Sequence, residues 1–179
     1  MGVRKAVFLD RDGVINACNV NNGKPFAPKS FEEFRLYQGI ETQLTRLKKS
    51  GFYLVVITNQ PDVGNKITSL EQVEKMHDYL ISQTDIDSVF ACYHSQNAGC
   101  LCRKPRLGLF YTAAEEGNIA PQLSFMIGDR NSDIIAGNQF GCRSIFIDRS
   151  YTEKLTAEPW CVVKDLKQAV DKILEMKMN

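Results

Sequence analysis

Short apolar runs alternate with segments of helical periodicity along the 179 residues of this chain. The apolar runs occupy 6–9, 53–57, 89–91, 124–127 and 144–147. Between and after them, apolar residues recur at helical spacing over 40–50, 69–83, 107–116, 131–140 and 165–176. Runs this short and this apolar are typical of strands buried on both faces. The alternation predicts an α/β fold, a Rossmann-like three-layer sandwich with helices on both faces of a central parallel sheet.

The length of the chain and the spacing of these elements indicate one domain over 1–179, closed by a helix over about 165–177. No repeat or linker divides this domain. The segment 16–38 is irregular and polar, and we expect it to form a flap beside a binding site. No insertion is large enough for a separate cap domain, so the fold is predicted to be capless.

Polar motifs follow four of the predicted strands. Asp10-Arg11-Asp12-Gly13 follows the first strand and Thr58-Asn59-Gln60 the second. A loop over 92–105 follows the third, and Gly128-Asp129 follows the fourth. In parallel sheets, ligands bind beyond the carboxyl ends of the strands. The four motifs therefore predict a single site at that edge of the sheet.

The residue types at this edge suit phosphoryl transfer. Asp10 and Asp12 are two residues apart, so their carboxylates project to the same side of an extended segment and repel unless a cation relieves them. Mg²⁺ with oxygen ligands would do so, and Asp129 offers a third carboxylate. One aspartate can attack phosphorus while the other serves as acid and then as base. Thr58 and Lys104 can stabilise phosphoryl oxygens. These residues predict a magnesium-dependent phosphomonoesterase with an aspartyl-phosphate intermediate.

The loop over 92–105 supplies three cysteines and one histidine within eleven residues: Cys92, His94, Cys100 and Cys102. This is the ligand set of a closed tetrahedral zinc site. Four protein ligands leave no open coordination position, so we expect Zn²⁺ to stabilise the loop and not to catalyse. Arg103 and Lys104 follow directly, and the metal is expected to hold these cations toward an anionic substrate.

Charge and composition narrow the classes of partner. The chain has 22 Lys and Arg against 21 Asp and Glu, without the basic stripe that nucleic-acid binding needs. No apolar run approaches the roughly 20 residues of a membrane helix, and no signal peptide is expected. The cysteines outside the loop are expected to be free thiols, which suits a reducing cytoplasm. We therefore expect a cytoplasmic protein, and we predict a monomer that acts on a small phosphorylated molecule. His77, in a polar stretch of its helix, is expected to be exposed.

Asp10-Arg11-Asp12-Gly13-Val14-Ile15-Asn16, Thr58-Asn59-Gln60, Arg103-Lys104-Pro105 and Gly128-Asp129 with Asp133 resemble the four motifs of the haloacid dehalogenase superfamily. The loop over 92–105, called the zinc loop below after its expected ligand, is similar to that of the capless branch of this superfamily (subfamily IIIA). That branch holds the D,D-heptose 1,7-bisphosphate phosphatases and the histidinol-phosphate phosphatases. The resemblance covers roughly residues 5 to 150.

Carried over by position, the resemblance implies a role for each motif residue. Asp10 would be the nucleophile and a magnesium ligand, and Asp12 the proton donor, with its backbone carbonyl on the metal. Asp129 would be the other magnesium carboxylate, and Thr58 and Lys104 would stabilise the phosphoryl group. Asp133 would be either a supporting acid or the cap of the helix that starts near Asn131. The remaining residues are expected to bind substrate: Asn16, Asn59, Arg103 and Arg130.

The expected site is rich in cations and amides, which favours a phosphorylated sugar. The expected cations are Arg11, Arg103, Arg106, Arg130 and Lys66. The resemblance then favours D-glycero-D-manno-heptose 1,7-bisphosphate, cleaved at its 7-phosphate in the supply of activated heptose for lipopolysaccharide or capsule. Histidinol phosphate is the alternative, since the five residues between His94 and Cys100 match that branch better. A catalytically idle, zinc-stabilised phosphate-binding module is a further alternative, and a 3′-end nucleic-acid phosphatase is disfavoured by the neutral charge.

Overall fold

A six-stranded sheet forms the centre of the computed structural model, which describes residues 2–176. The strands are β1 Ala6–Leu9, β2 Asn19–Asn21, β3 Lys24–Phe26, β4 Tyr53–Asn59, β5 Ser88–Cys92, β6 Phe125–Gly128, β7 Arg143–Ile147 and β8 Cys161–Val163. The helices are α1 Ile40–Lys49, α2 Pro61–Gly64, α3 Leu70–Gln83, α4 Gly108–Gly117, α5 Asn131–Phe140 and α6 Leu166–Glu175. The central sheet runs β5-β4-β1-β6-β7-β8 and every pairing in it is parallel. The predicted parallel α/β fold is confirmed.

The register of the sheet brings the polar motifs together. Leu9, the last residue of β1, is level with Val56 of β4 on one side and with Ile127 of β6 on the other. The Asp10 backbone N–H continues this ladder by donating to the carbonyl of Ile127 at 2.9 Å. Residues that follow these three strands therefore meet at one edge of the sheet.

Helices cover both faces of the sheet, because alternate residues of each strand point to opposite sides. Leu9, Val56 and Ile127 face a core shared with α1, α3 and α6. The residue that precedes each of these three in the chain points to the other side of the sheet, toward α4 and α5. Phe8 is among them, and its ring lies 5.1 Å from that of Phe110 and 5.6 Å from that of Phe140, centroid to centroid. Full burial of such a side chain contributes about 1.5–3 kcal/mol, so the packing fixes the strands on which the site depends.

Side chains and glycine at the helix ends account for several of the observed boundaries. Ser69 Oγ accepts from the Gln72 N–H at the start of α3, and Asp165 Oδ1 accepts from the Gln168 N–H at the start of α6. Gly141 ends α5 with a φ of 94°, a conformation that glycine adopts at little cost. The final helix was predicted over 165–177; it spans Leu166–Glu175, and residue 177 lies outside the described residues.

Four short elements were not predicted. Within 16–38, strands β2 and β3 form an antiparallel hairpin, where an irregular flap was expected. The single-turn helix α2 and the edge strand β8 were also missed. Segments of three or four residues are too short to show a period, so sequence patterns do not reveal them. Among the described residues, no helix combines the length and the apolarity that crossing a membrane requires.

Candidate active site

Asp10 lies at the end of the central strand β1 and is 8% exposed. Its Oδ1 accepts a hydrogen bond of 2.8 Å from Nζ of Lys104. Burial raises the pKa of Asp10 to about 6, against the opposing effect of the Lys104 charge. The carboxylate thus lines the cavity with one oxygen held by a cation.

Lys104 is 3% exposed and is surrounded by oxygen atoms. Besides Asp10, its Nζ lies 2.7 Å from Oδ1 of Asp133 and donates to the carbonyl of Ile57 at 2.6 Å. Burial alone would lower the pKa of Lys104, but the two carboxylates outweigh it and raise that pKa. Lys104 therefore remains a cation, and it links the zinc loop to the ends of β1 and β4.

Three carboxylates form a buried cluster: Asp10, Asp129 and Asp133 each offer an oxygen within 4.8 Å of the others. Apart from the nearby hydroxyl of Tyr151, the described residues offer neither oxygen of Asp129 a hydrogen bond. Burial, followed by the charges of Asp10 and Asp133, raises the pKa of Asp129 well above its ordinary value. Three buried carboxylates this close together repel one another, and the single charge of Lys104 does not balance them, so a further cation would relieve the repulsion. An all-oxygen donor set with free lone pairs fits Mg²⁺.

Two glycines make room for this cluster. A Cβ atom on Gly13 would lie 1.8 Å from Oδ2 of Asp129, and Gly13 has a φ of 86°. A Cβ on Gly128 would lie 2.2 Å from Cβ of Asp133. Both positions therefore require glycine for space, and Gly13 requires it for conformation as well.

Asp12 lies outside the carboxylate cluster, with a side chain that is 13% exposed. Arg11 Nη2 donates to its Oδ1 at 2.9 Å and to its Oδ2 at 3.0 Å. Asn16 Nδ2 donates to Oδ1 at 2.9 Å, and Gln60 Nε2 donates to Oδ2 at 2.6 Å. Donors on both oxygens fix the orientation of this carboxylate.

Thr58 and Asn59 end β4, and Gln60 follows directly. Thr58 is 1% exposed, and its Oγ1 accepts from Gln60 Nε2 at 2.8 Å, so the hydroxyl proton remains available to another acceptor. Asn59 binds the zinc loop: its Oδ1 accepts from the Lys104 N–H at 3.0 Å and its Nδ2 donates to the Lys104 carbonyl at 3.2 Å. The side-chain amide of Asn59 thus holds the backbone of Lys104, and Asn59 also lines the cavity described below. The contacts of Gln60 were missed, because only its place in the motif pointed to the site.

Asp133 has both of the roles that the sequence left open. Its Oδ2 accepts from the Arg130 N–H at 3.0 Å and caps α5, while its Oδ1 faces Lys104. One side chain therefore positions the start of a helix and neutralises the buried lysine.

The zinc-loop residues are assembled as predicted. Cys92 Sγ lies 3.6 Å from Cys100 Sγ and 3.1 Å from Cys102 Sγ. His94 Nδ1 lies 3.6 Å from Cys92 Sγ and 3.2 Å from Cys102 Sγ. A tetrahedral zinc ion bonded at about 2.3 Å to sulfur and about 2.0 Å to nitrogen separates its ligand atoms by roughly 3.5–3.8 Å. The four donors, all from one loop, are therefore close to the geometry that Zn²⁺ requires.

These residues border a cavity of about 850 Å³. Its walls include Asp10, Asp12, Asp129 and Lys104. The cationic side chains around it belong to Lys24, Lys29, Arg103 and Arg130. Arg103 has a buried Nη1 atom without a hydrogen-bond partner among the described residues, and Arg130 Nε contacts Glu153. The hairpin contributes Pro25 and Phe26 as an apolar wall.

Several predicted cations do not face this cavity. Arg11 is fully buried and binds Asp12, and Arg106 donates to two carbonyls of the zinc loop, those of Gly99 and Cys100. Lys66 is not among the lining residues. Asn16 is fully buried behind Asp12, which argues against its predicted contact with substrate. The positions of Arg11 and Asn16 depend on packing that a sequence motif does not show.

The prediction for His77 was wrong. This residue is 3% exposed and lies in α3, with Nε2 3.1 Å from Arg11 Nη1. Its polar sequence neighbours suggested a solvent-facing position, but it occupies the buried side of the helix with Val73, Met76 and Leu80.

Comparisons with known proteins agree with this geometry. The HAD-hydrolase-like family matches residues 101–169. The chain is 33% identical to the D-glycero-beta-D-manno-heptose-1,7-bisphosphate 7-phosphatase of Helicobacter pylori strain 26695, over 97% of this chain and 99% of that protein. It is 27% identical to the histidine biosynthesis bifunctional protein HisB of Legionella pneumophila, over 93% of this chain but 47% of that protein.

A solved structure shares the whole fold. The D,D-heptose 1,7-bisphosphate phosphatase of B. bronchiseptica, complexed with magnesium and phosphate, superimposes with a TM-score of 0.83 at 25% identity. The match covers 96% of this chain and 99% of that one.

Proposed function

Because the chain belongs to the phosphatases of the haloacid dehalogenase-like hydrolase family, we propose that it removes the 7-phosphate from D-glycero-β-D-manno-heptose 1,7-bisphosphate. The observation that carries this proposal is the full-length identity of 33% to a protein named for that reaction. The assembled aspartates and Lys104 supply the chemistry that such a reaction needs.

Asp10, Asp129 and the backbone carbonyl of Asp12 would hold Mg²⁺, and Asp133 lies in the same carboxylate cluster. When bound, the ion would neutralise charge on the phosphoryl oxygens. The magnesium in the B. bronchiseptica complex supports this choice of metal.

The chain's own residues account for the two chemical steps. A carboxylate oxygen of Asp10 forms a bond to phosphorus as the bond from phosphorus to the sugar oxygen breaks. Asp12 gives its proton to that leaving oxygen. Water then attacks phosphorus, Asp12 takes a proton from it, and the bond to Asp10 breaks to release phosphate. Lys104 and the hydroxyl of Thr58 stabilise the phosphoryl oxygens in both steps.

The pocket supports a substrate with a second anionic group. Four cationic residues line it beyond Lys104, and a volume near 850 Å³ is large enough for a sugar carrying two phosphates. Arg103 lines this pocket and precedes Lys104 directly, so it is a cation expected to bind the second anionic group. Arg130 and Asn59 line the same wall.

We also propose that Cys92, His94, Cys100 and Cys102 bind Zn²⁺ and hold the loop that carries Arg103 and Lys104. The spacing of the four donor atoms supports this assignment. All six cysteines are unpaired, which fits the reducing cytoplasm in which we place the enzyme as a monomer.

Phosphate release from the heptose bisphosphate and from L-histidinol phosphate, side by side with Mg²⁺, tests the function. We expect kcat/KM in the ordinary range of about 10⁴–10⁸ M⁻¹s⁻¹ for the heptose substrate and far less for histidinol phosphate. The reverse preference would place the chain with the histidinol-phosphate phosphatases, for which the match to HisB is the supporting observation. Release from neither substrate would favour an idle phosphate-binding module.

A further inference from the structure

His77 is a buried titratable residue to which the reaction described above gives no role. It lies in α3, which contributes no residue to the carboxylate cluster. Its Nε2 atom is 3.1 Å from Nη1 of Arg11, a residue 66 positions away in the chain. A polar contact this far inside the protein, between a helix and the end of β1, indicates a specific positioning function.

Arg11 holds Asp12 through the opposite side of its guanidinium group. Nη2 donates to both Asp12 oxygens, and Nε lies 3.3 Å from Oδ1. The group is fully buried, with its Cζ 5.4 Å from the centre of the Phe34 ring. Asp12 thus accepts from two of the three guanidinium nitrogens, and His77 faces the third.

The hydrogen-bond pattern selects one form of the imidazole. Nε2 can accept from Arg11 only if it carries no proton, so the proton lies on Nδ1, which is 3.8 Å from Oε1 of Glu74. Burial, with the nearby Arg11 charge, lowers the pKa of His77 to about 3, and Asp12 opposes this effect. His77 is therefore a neutral acceptor at physiological pH.

We propose that His77 is a positioning residue for the proton donor: it fixes the Arg11 guanidinium, and Arg11 in turn orients Asp12 toward the leaving oxygen. This inference rests on the proposed function, in which Asp12 protonates that oxygen. Without an acceptor at position 77, Nη1 of the buried guanidinium loses its partner, and Arg11 can shift so that Asp12 is held less closely by Arg11 and more by Asn16 and Gln60.

The test compares two leaving groups. A sugar alkoxide needs a proton as it leaves, whereas p-nitrophenolate is stable as an anion and leaves without one. In H77L, which removes the acceptor, kcat/KM for the heptose bisphosphate should fall by roughly 10- to 100-fold, the range seen when a supporting partner of a functional side chain is removed. The value for p-nitrophenyl phosphate should change little.

H77Q is the matched control, since its amide oxygen can accept from Arg11 in place of Nε2. It should recover most of the heptose activity. In a D12N background, H77L should cause no further loss, because the group it positions is already removed.

An equal loss of kcat/KM on both substrates would overturn the proposal and assign His77 a structural role. A loss of kcat/KM from H77L that adds fully to the loss caused by D12N would do the same. Unchanged activity of H77L on the heptose substrate would also overturn it. Thermal unfolding shows whether each variant is folded, and H77M replaces H77L if the latter is not.

Failure of the proposed function gives a different result. In that case the wild-type protein would not hydrolyse the heptose bisphosphate, and the same comparison would be made with the alkyl phosphate that it does hydrolyse. A wild-type protein without activity on any phosphate ester would overturn both proposals.

Discussion

Nζ of Lys104 lies 2.8 Å from Oδ1 of Asp10, so a residue of the loop over 92–105 pairs directly with the residue that follows the first strand. The two are 94 positions apart, and both are almost completely buried. One ion pair therefore couples the loop over 92–105 to the end of β1.

Replacing Lys104 by methionine should lower kcat by about 10²–10³, the cost of removing one preorganised charge from a phosphoryl or oxyanion site. Steady-state phosphate release measures this. Lys164→Met is the control, because that lysine pairs with Asp148 at the surface and should leave kcat unchanged. A K104M enzyme with wild-type kcat would show that Lys104 only neutralises the buried carboxylates.

Asp10→Asn should abolish turnover while retaining the fold. In the absence of Mg²⁺ it should also raise the melting temperature, since it removes one of three buried carboxylates that repel one another. Calorimetry with and without Mg²⁺ checks the second effect. Turnover by D10N close to that of the wild type would remove Asp10 as the nucleophile.

Gly13→Ala should disrupt the magnesium site by forcing Asp129 to move, because the new Cβ would lie 1.8 Å from its Oδ2. Titration of activity against Mg²⁺ should show a higher metal requirement and a lower maximum. Gly39→Ala is a matched control: its φ of 77° imposes a similar backbone strain, but nothing lies within 4 Å of its Cβ. If both variants respond alike, backbone strain and not displacement of Asp129 explains the effect.

Cys100→Ser should release zinc, lower the melting temperature and reduce activity, because the loop that positions Arg103 and Lys104 would lose its metal. Metal analysis and thermal unfolding measure the first two effects. Cys161→Ser changes a thiol outside the cluster and should leave the zinc content unchanged. Full activity in a zinc-free preparation would contradict the structural role of the metal.

His77 should make the free energy of unfolding depend on pH. Its pKa is about 3 in the folded protein and about 6.5 in an unfolded chain, so between these values only the unfolded state takes up the proton. Stability from this residue is complete above about pH 6.5 and is lost as the pH falls toward 3. At pH 5 the loss should be on the order of 2 kcal/mol.

Urea unfolding at pH 7 and pH 5 checks this expectation. His77→Gln cannot titrate, so it should lose less stability than the wild type over the same interval. Equal losses in the two proteins would show that His77 is protonated as readily when folded as when unfolded.

The sequence was sufficient to predict those site residues that follow a strand in the chain. Asp10, Thr58 and Asp129 could be placed together because parallel strands end at one edge of the sheet. The predictions failed where a side chain depends on contacts distant in the chain. Arg11 was expected to face the substrate and His77 to face solvent, because neither their neighbours nor their spacing shows that they bind each other.

The central place of β1 has a consequence for synthesis of the protein. The strand pairs with β4 and β6, and β6 begins at Phe125. A ribosome that adds about 5–20 residues per second needs roughly 6–24 s to proceed from Asp10 to Asp129. During this interval one edge of a wholly apolar strand has no partner, and unpaired edges of this kind promote aggregation. The nascent chain is therefore the form of this protein with the greatest need for a chaperone.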